Sequence, residues 1–234
     1  NTFTKGNWAV KISFFIFGFG NFYYGQILRG ILFLVFEIVF IGYMFVPSGG
    51  IYWLSKGNWF NTGATVGTVQ GQNVYTEILD VDIWISGDDS VKVMLYGLLT
   101  IIFIIAFIYT WRLQVKQCRI CMGITAKGKK VKSGKDDLRS LLDDQFHKTL
   151  LSLPLFGILV FTVLPIIYMT IIAFTSYDAA HDGYANLFTW VGFDNFNELF
   201  NFGHGGLGLA FGEILGWTLM WAFFATFTNY FLGM

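Results

Sequence analysis

Long apolar runs without a single charged residue dominate this sequence. Residues 93–111, 150–174 and 214–234 contain no Asp, Glu, Lys or Arg. Each run has about the 20 residues that an α-helix needs to cross a hydrocarbon layer about 30 Å thick. Residues 27–46 form a fourth run of this length, interrupted by only two charges. Backbone groups in lipid must be hydrogen-bonded within a helix, so the runs predict an all-α integral membrane protein with four transmembrane helices.

The overall composition indicates the same class of protein. Apolar residues make up 55% of the 234 residues and charged residues 13%, whereas about a quarter of the residues of a soluble globular domain are charged. Fifteen basic and fifteen acidic side chains cancel, so the net charge gives no reason to expect nucleic acid as a partner. Two Cys and three Pro are too few for a disulfide framework or a collagen-like chain.

The distribution of Lys and Arg predicts how the chain is oriented. Residues 112–148 contain ten of the fifteen basic side chains, and residues 47–92 contain two basic and five acidic ones. Residues 176–213 contain no basic and five acidic side chains. Because basic loops stay on the cytoplasmic side, we expect 112–148 and the N-terminal segment 1–26 in the cytoplasm. Residues 47–92 and 176–212 are then outer loops.

An aromatic, glycine-rich segment, residues 12–28, precedes the first span. It is uncharged, but three glycines interrupt it. Only Arg29 and Gly30 separate it from the next apolar run, and two full spans cannot be joined by so short a turn. We expect the segment to lie at the membrane interface or to be re-entrant, and the sequence leaves a spanning arrangement open.

Glu37 is the only carboxylate deep inside a predicted span. An ionised carboxylate there costs at least about 2.5 kcal/mol, so such a residue usually faces a partner or a wet cavity. One interpretation is a proton or cation relay, but no second intramembrane group completes it. We favour a structural role, in which a protonated Glu37 hydrogen-bonds to a neighbouring helix or tilts toward the interface.

Two groups of polar residues have the chemistry to hold a metal ion. Cys118 and Cys121 form a C-x-x-C motif, but zinc needs four ligands and no second pair exists. The four aspartates of the first outer loop do not have EF-hand spacing; they are Asp80, Asp82, Asp88 and Asp89. We expect two reduced thiols and a solvated acidic surface. The sequence predicts no catalytic residue, metal site or cofactor, and it assigns no substrate-binding residue.

Two prolines, Pro154 and Pro165, lie inside the third run. Each removes a backbone donor and bends the helix. They are eleven residues apart, which is about three helical turns, so both lie near one face. Pro165 frees the carbonyl of Phe161 in mid-membrane, where we expect a hydroxyl such as that of Thr162, or a group on a neighbouring helix, to pair with it. We assign both prolines a structural role.

The sequence from residue 151 onwards resembles a known family of transport proteins. Leu-Pro-Leu-Phe at 153–156 and Leu-Pro-Ile-Ile-Tyr at 164–168 lie in the third run, and Ala-Phe-Thr-Ser-Tyr-Asp at 173–178 ends it. Trp-Val-Gly-Phe-Asp-Asn-Phe-Asn-Glu-Leu-Phe follows at 190–200. These segments resemble the membrane subunits of bacterial binding-protein-dependent sugar importers of the ABC class.

The two spans before this region narrow the resemblance. With Ile-Ser-Gly-Asp-Asp-Ser at 85–90, they resemble the larger permease subunit of maltose and maltodextrin importers. The resemblance implies an N-terminal two-helix unit at 27–111 and the start of a permease core at 149–234. It implies a permease subunit, not itself an enzyme, of an ATP-driven carbohydrate importer in the bacterial plasma membrane, with maltose or malto-oligosaccharides as substrate.

The same resemblance implies the partners. They are a second permease subunit, separate ATPase subunits and an extracellular solute-binding protein, and the basic run at 128–132 is suited to anionic membrane lipid. The family's Glu-Ala-Ala-type coupling loop does not occur here. We therefore expect the chain to be truncated at its C-terminus, with that loop and the residues that contact the sugar beyond Met234.

The second outer loop is a candidate docking surface for the solute-binding protein. It lacks Lys and Arg, and we expect Tyr184, Phe188 and Trp190 to be exposed there, with Tyr184 and Trp190 as the aromatic anchors. An equally compatible arrangement lays Phe193, Phe196 and Phe200 on the membrane surface. The alternative to transport is a membrane sensor or assembly scaffold whose outer loops bind a partner; the absence of four further spans and a coupling loop from a longer reading frame would exclude the importer.

Overall fold

The fold is helical, with one small sheet, over the part of the chain that the structure describes. The structure is a computed structural model, and it describes residues 6–76, 81–131, 146–178, 187–203 and 207–234. In chain order the elements are α1 (Trp8–Ile12), α2 (Phe19–Tyr23), α3 (Ile27–Phe45), α4 (Gly50–Lys56), β1 (Gln72–Thr76), β2 (Val81–Ile85), α5 (Ser90–Ala126), α6 (Phe146–Ile158), a π-helical turn (Leu159–Val163), α7 (Leu164–Ile172), α8 (Asp194–Leu199) and α9 (Gly208–Gly233).

Within the described residues, four helices are long and apolar enough to cross a membrane, which confirms the predicted number. The first is α3 and the second is α5. The third, Leu150–Ile172, runs through α6, the π-helical turn and α7, and the fourth is α9. Large apolar side chains are exposed along all of these helices, as expected of surfaces that meet lipid or other helices rather than water.

The second span is longer than the sequence predicts. α5 contains 37 residues, so its length is about 56 Å at 1.5 Å per residue, whereas the hydrocarbon layer is about 30 Å thick. The helix continues past Trp111 to Ala126, and residues 112–126, expected in a loop, are helical. No proline interrupts this stretch, and its buried side chains pack against the N-terminal segment.

The glycine-rich segment 12–28 contains no helix long enough to cross the membrane. It contains part of α1 and all of α2, each only five residues long, and it packs against α3 and α5. Gly18 turns the chain between the two helices with φ +79°, and a Cβ there would lie 2.2 Å from the Gly30 carbonyl oxygen. The close approach of these two backbones therefore requires glycine.

The two outer loops fold together into one layer over the ends of the spans. β1 and β2 form an antiparallel hairpin in the first loop, and two isolated bridges, Thr65↔Thr189 and Thr175↔Trp190, tie the second loop in place. We call residues 57–69, 174–176 and 187–192 the outer cap. Its apolar core, continued by the first turn of α5, consists of Val66, Val93, Met94, Phe188 and Trp190.

Candidate functional site

Backbone hydrogen bonds join the two outer loops in the outer cap. The Gly63 N–H donates to the Trp190 carbonyl at 2.8 Å, and the Trp190 N–H donates to the Ala64 carbonyl at 3.0 Å. The Val66 N–H donates to the Phe188 carbonyl at 2.8 Å. Loops that share such bonds lie on the same side of the membrane, as the distribution of basic residues predicts.

Trp190 lies at the centre of the outer cap rather than on its surface. Only 1% of the residue is exposed, its indole N–H donates to the Gly57 carbonyl at 2.9 Å, and its ring lies 5.1 Å from that of Phe60. The expectation that Trp190 is exposed is therefore wrong, because the first outer loop covers it; the same expectation is wrong for Phe188, which is 0% exposed. Tyr184 lies outside the described residues, so the docking role of this loop stays a prediction.

A nearly buried ion pair closes the cap on the side of the first outer loop. Asp88 accepts hydrogen bonds from the Lys56 ammonium, from the Thr68 N–H at 2.8 Å and from the Val69 N–H at 2.9 Å. Burial raises the pKa of the Asp88 carboxyl, but these donors outweigh it and hold the pKa below its ordinary value. The expectation of a solvated acidic surface is therefore wrong for Asp88.

Near Phe107, about halfway along α5, Glu37 of α3 pairs with the N-terminal segment. Its carboxylate accepts the Phe17 N–H at 2.8 Å, and 8% of the residue is exposed. Phe107 of α5 lines the same cavity as Glu37, and its ring stacks on those of Phe36 and Phe40 of α3. Glu37 thus has a hydrogen-bond partner on the N-terminal segment, an arrangement that fits a structural role.

A cluster of polar side chains, which we call the inner clamp, fastens the N-terminal segment to α5. The Gly18 N–H donates to the Gln114 side-chain carbonyl at 2.9 Å, and the Gln114 amide donates to the Ser13 carbonyl. The Cys118 thiol donates to the Asn21 side-chain oxygen at 3.4 Å. The inner clamp consists of Ser13, Gly18, Asn21, Gln26, Gln114, Cys118 and Cys121.

The spacing of three clamp residues is a signal that the sequence analysis missed. Gln114, Cys118 and Cys121 stand at i, i+4 and i+7, which places them on one face of a helix. All three are buried, and a Cβ on Gly20 would lie 2.6 Å from the Cys118 sulfur. The cysteines therefore belong to a helix–helix contact and not to a loop. Neither thiol is part of a disulfide, and no metal-binding group of three His, Cys, Asp or Glu occurs among the described residues.

The third span accommodates Pro165 by a change of hydrogen-bond register. The π-helical turn Leu159–Val163 lies just before Pro165, and the Leu164 N–H donates to the Leu159 carbonyl, five residues back. An α-helix would use the carbonyl four residues back, and single π-turns of this kind are common where a helix is bent. Pro154 lies one turn before the end of α6.

Comparison with known proteins finds sugar-transport permeases among the relatives. The chain is 28% identical over 148 residues to a maltodextrin transport system permease protein of Bacillus subtilis, and the match covers 63% of this chain and 34% of the relative. It is 26% identical over 223 residues to a maltodextrin transport system permease protein of Streptococcus pneumoniae, and this match covers 93% of this chain and 44% of the relative. A galactooligosaccharides transport system permease protein of Bacillus subtilis is 24% identical over 219 residues, with 93% and 46% covered.

These relatives confirm the resemblance to maltodextrin permeases found in the sequence. The chain spans less than half the length of each of them. No protein-family model matches the chain, and no solved structure matches it either. Together with the four apolar helices, the relatives identify a multi-pass protein of the plasma membrane.

Proposed function

We propose that this chain acts within a permease subunit of an ATP-driven carbohydrate importer that carries maltose and malto-oligosaccharides. The observation that carries the proposal is the alignment of 93% of the chain with a maltodextrin permease. A galactooligosaccharide permease aligns over the same share of the chain. Both relatives belong to sugar-transport systems, which supports a sugar oligomer as the substrate.

In this proposal the chain does not itself hydrolyse ATP. Separate ATPase subunits supply the energy, and a second permease subunit and an extracellular solute-binding protein complete the importer. The surfaces of the last two spans support such an assembly. In the most apolar part of Leu150–Ile172 none of the residues is buried, and in that of Gly208–Gly233 only 6% are. Nearly the whole circumference of both helices is therefore available for contacts with other helices or lipid.

The outer cap is proposed as the surface that receives the solute-binding protein. In this arrangement Tyr184 makes the contact, and Trp190 holds residues 187–192 on the cap beneath it. Exposed aromatic side chains near the cap support the idea of an interface, because aromatic residues are enriched at the centres of protein contacts. Examples among the described residues are Tyr177 and Phe193, which are 42% and 68% exposed.

Uptake of labelled sugars tests the proposed function. Cells that lack this protein are compared with the same cells after the gene is restored, using maltotriose, a galactotriose and an unrelated sugar such as ribose. We expect maltotriose uptake to disappear in the deletion strain and to return with the gene. Uptake of ribose serves as the control for membrane integrity and energy supply.

Each other outcome changes the proposal in a defined way. Loss of galactotriose uptake with normal maltotriose uptake would keep a sugar importer and overturn the choice of substrate. Normal uptake of every sugar oligomer would overturn transport and favour the membrane sensor or scaffold. In the restored strain, Tyr184→Ala should weaken stimulation of ATP hydrolysis by the solute-binding protein without loss of assembly.

A further inference from the structure

A groove with two cations at its mouth lies between α3 and α5, at the end of these helices that carries the inner clamp. Its volume is about 760 Å³. Arg29, Lys116 and Gln117 provide its polar wall. Leu32, Leu113 and Ile120 are among its apolar lining residues. The groove is thus lined by both cationic and apolar side chains. The proposed transport function uses none of them.

The two cations lie at the same depth along the helix pair. The Tyr43 and Thr100 hydroxyls are hydrogen-bonded at 2.7 Å, which fixes the register of α3 against α5. From this bond, Arg29 is about 21 Å away along α3 and Lys116 about 24 Å away along α5, at 1.5 Å per residue. Both distances are measured toward the same end of the antiparallel pair, so the charges face each other across the groove.

That depth corresponds to the headgroup region of the inner leaflet. Ser90 begins α5 beneath the outer cap, and Lys116 follows about 39 Å further along the helix. A bilayer is about 40–45 Å thick when its headgroup regions are included. The uncharged run 93–111 lies between the two ends, so Lys116 is located where lipid phosphates are.

The apolar lining extends from this level into the membrane. Leu32 follows Arg29 by three residues and Leu113 precedes Lys116 by three, so each lies about one turn closer to the membrane centre than its cation. Leu32 is 61% exposed and Leu113 is 41% exposed. A ligand whose charge rests between the cations would therefore place its next atoms against hydrocarbon side chains.

The described segments on the groove's side of the membrane are basic. The described segments on this side, residues 6–30 and 112–131, contain no Asp or Glu. Their basic residues are Lys11, Arg29, Arg112, Lys116, Arg119, Lys127, Lys129 and Lys130. These basic residues attract an anionic headgroup, and they disfavour the ammonium group of a zwitterionic lipid.

We propose that this groove is a binding site for an anionic phospholipid of the inner leaflet. The lipid phosphate lies between Arg29 and Lys116, with the Gln117 side-chain amide as a further donor. The first carbons of an acyl chain lie along Leu32 and Leu113. The charge of the two cations selects the headgroup, and the apolar lining distinguishes a lipid from a free anion.

Native mass spectrometry of the intact protein, with added phosphatidylglycerol or phosphatidylcholine of identical acyl chains, tests the site. We expect the wild-type protein to prefer phosphatidylglycerol. At about 1 kcal/mol for each basic residue near a lipid surface, Lys116→Gln should weaken its binding about fivefold and the pair Arg29→Gln with Lys116→Gln about 30-fold. Arg29→Lys with Lys116→Arg keeps both charges and should bind like the wild type.

The matched control also removes two positive charges, both from α5 within four residues of Lys116 but outside the groove. Arg112→Gln with Arg119→Gln changes two exposed side chains that do not line it, and we expect less than a threefold loss. The thermal unfolding temperature in detergent identifies a variant that misfolds. If the double substitution in the groove fails to fold, Lys116→Gln, which changes an exposed side chain, carries the test.

Three results would overturn the site. Equal binding of the two lipids would show that charge does not select the headgroup. An equal loss in the control pair would show a diffuse surface effect instead of a site. Displacement of phosphatidylglycerol by millimolar inorganic phosphate would show that the cations bind a free anion.

Discussion

Glu37 shows how a single polar residue in a span can serve the backbone of another segment. Its carboxylate accepts a hydrogen bond from the Phe17 N–H. The next backbone N–H, that of Gly18, donates to the Gln114 side-chain oxygen. Glu37→Leu removes the acceptor and leaves the Phe17 N–H buried and unpaired, a loss of about 1–3 kcal/mol. We expect a correspondingly lower free energy of unfolding, measured by denaturant titration in detergent.

Glu37→Gln is the matched variant for this prediction. The glutamine side chain keeps an oxygen acceptor of the same length but cannot carry a proton between groups. If Glu37 is structural, this variant should retain both stability and transport. Normal stability with complete loss of transport in Glu37→Gln would contradict the structural role and restore the relay hypothesis.

At the scale of elements, the third span owes its shape to the π-helical turn before Pro165. In Pro165→Ala the new N–H can donate to the Phe161 carbonyl, so the reason for the wider turn disappears and the helix should straighten. We expect the fixed bend to be needed for packing against the second permease subunit. Recovery of that subunit by co-purification should fall about tenfold, which corresponds to about 1.4 kcal/mol.

Pro154→Ala provides the comparison within the same helix. Pro154 lies nearer one end of the span, where the freed Leu150 carbonyl is closer to water than a carbonyl in mid-membrane, so co-purification should change little. If Pro165→Ala leaves assembly intact and only slows transport, the bend is a hinge and the fixed-shape hypothesis is wrong.

At the scale of the whole molecule, the outer cap and the inner clamp lie at opposite ends of α5. An impermeant thiol reagent should label Asn61→Cys in intact cells and Lys129→Cys only after permeabilisation, because both positions are exposed. The native Cys118 and Cys121, 0% and 1% exposed, should stay unlabelled in both conditions while the protein is folded. Labelling of Lys129→Cys in intact cells would reverse the topology.

The number of spans could be predicted from the sequence because it depends on the local hydropathy of each run, and the orientation stays a prediction from the local density of basic residues. A run such as 93–111 is apolar whatever surrounds it, and the basic residues of 112–148 bias the topology without a specific partner. The need of Glu37 for a hydrogen-bonding partner could also be predicted, because a carboxylate inside a span is costly whichever group pairs with it. The resemblance to sugar permeases is likewise carried by short contiguous segments such as 190–200.

Only the tertiary structure decided what the buried polar and aromatic side chains contact. Trp190 is of a residue type common at the centres of protein interfaces. In the structure its indole N–H instead donates a hydrogen bond to the Gly57 carbonyl, 133 residues away in the chain. Cys118 and Gln114 were expected in a loop and instead hold Asn21 and Gly18. The burial and the hydrogen-bond partners of a residue depend on which distant segment packs against it. The local sequence does not contain that information.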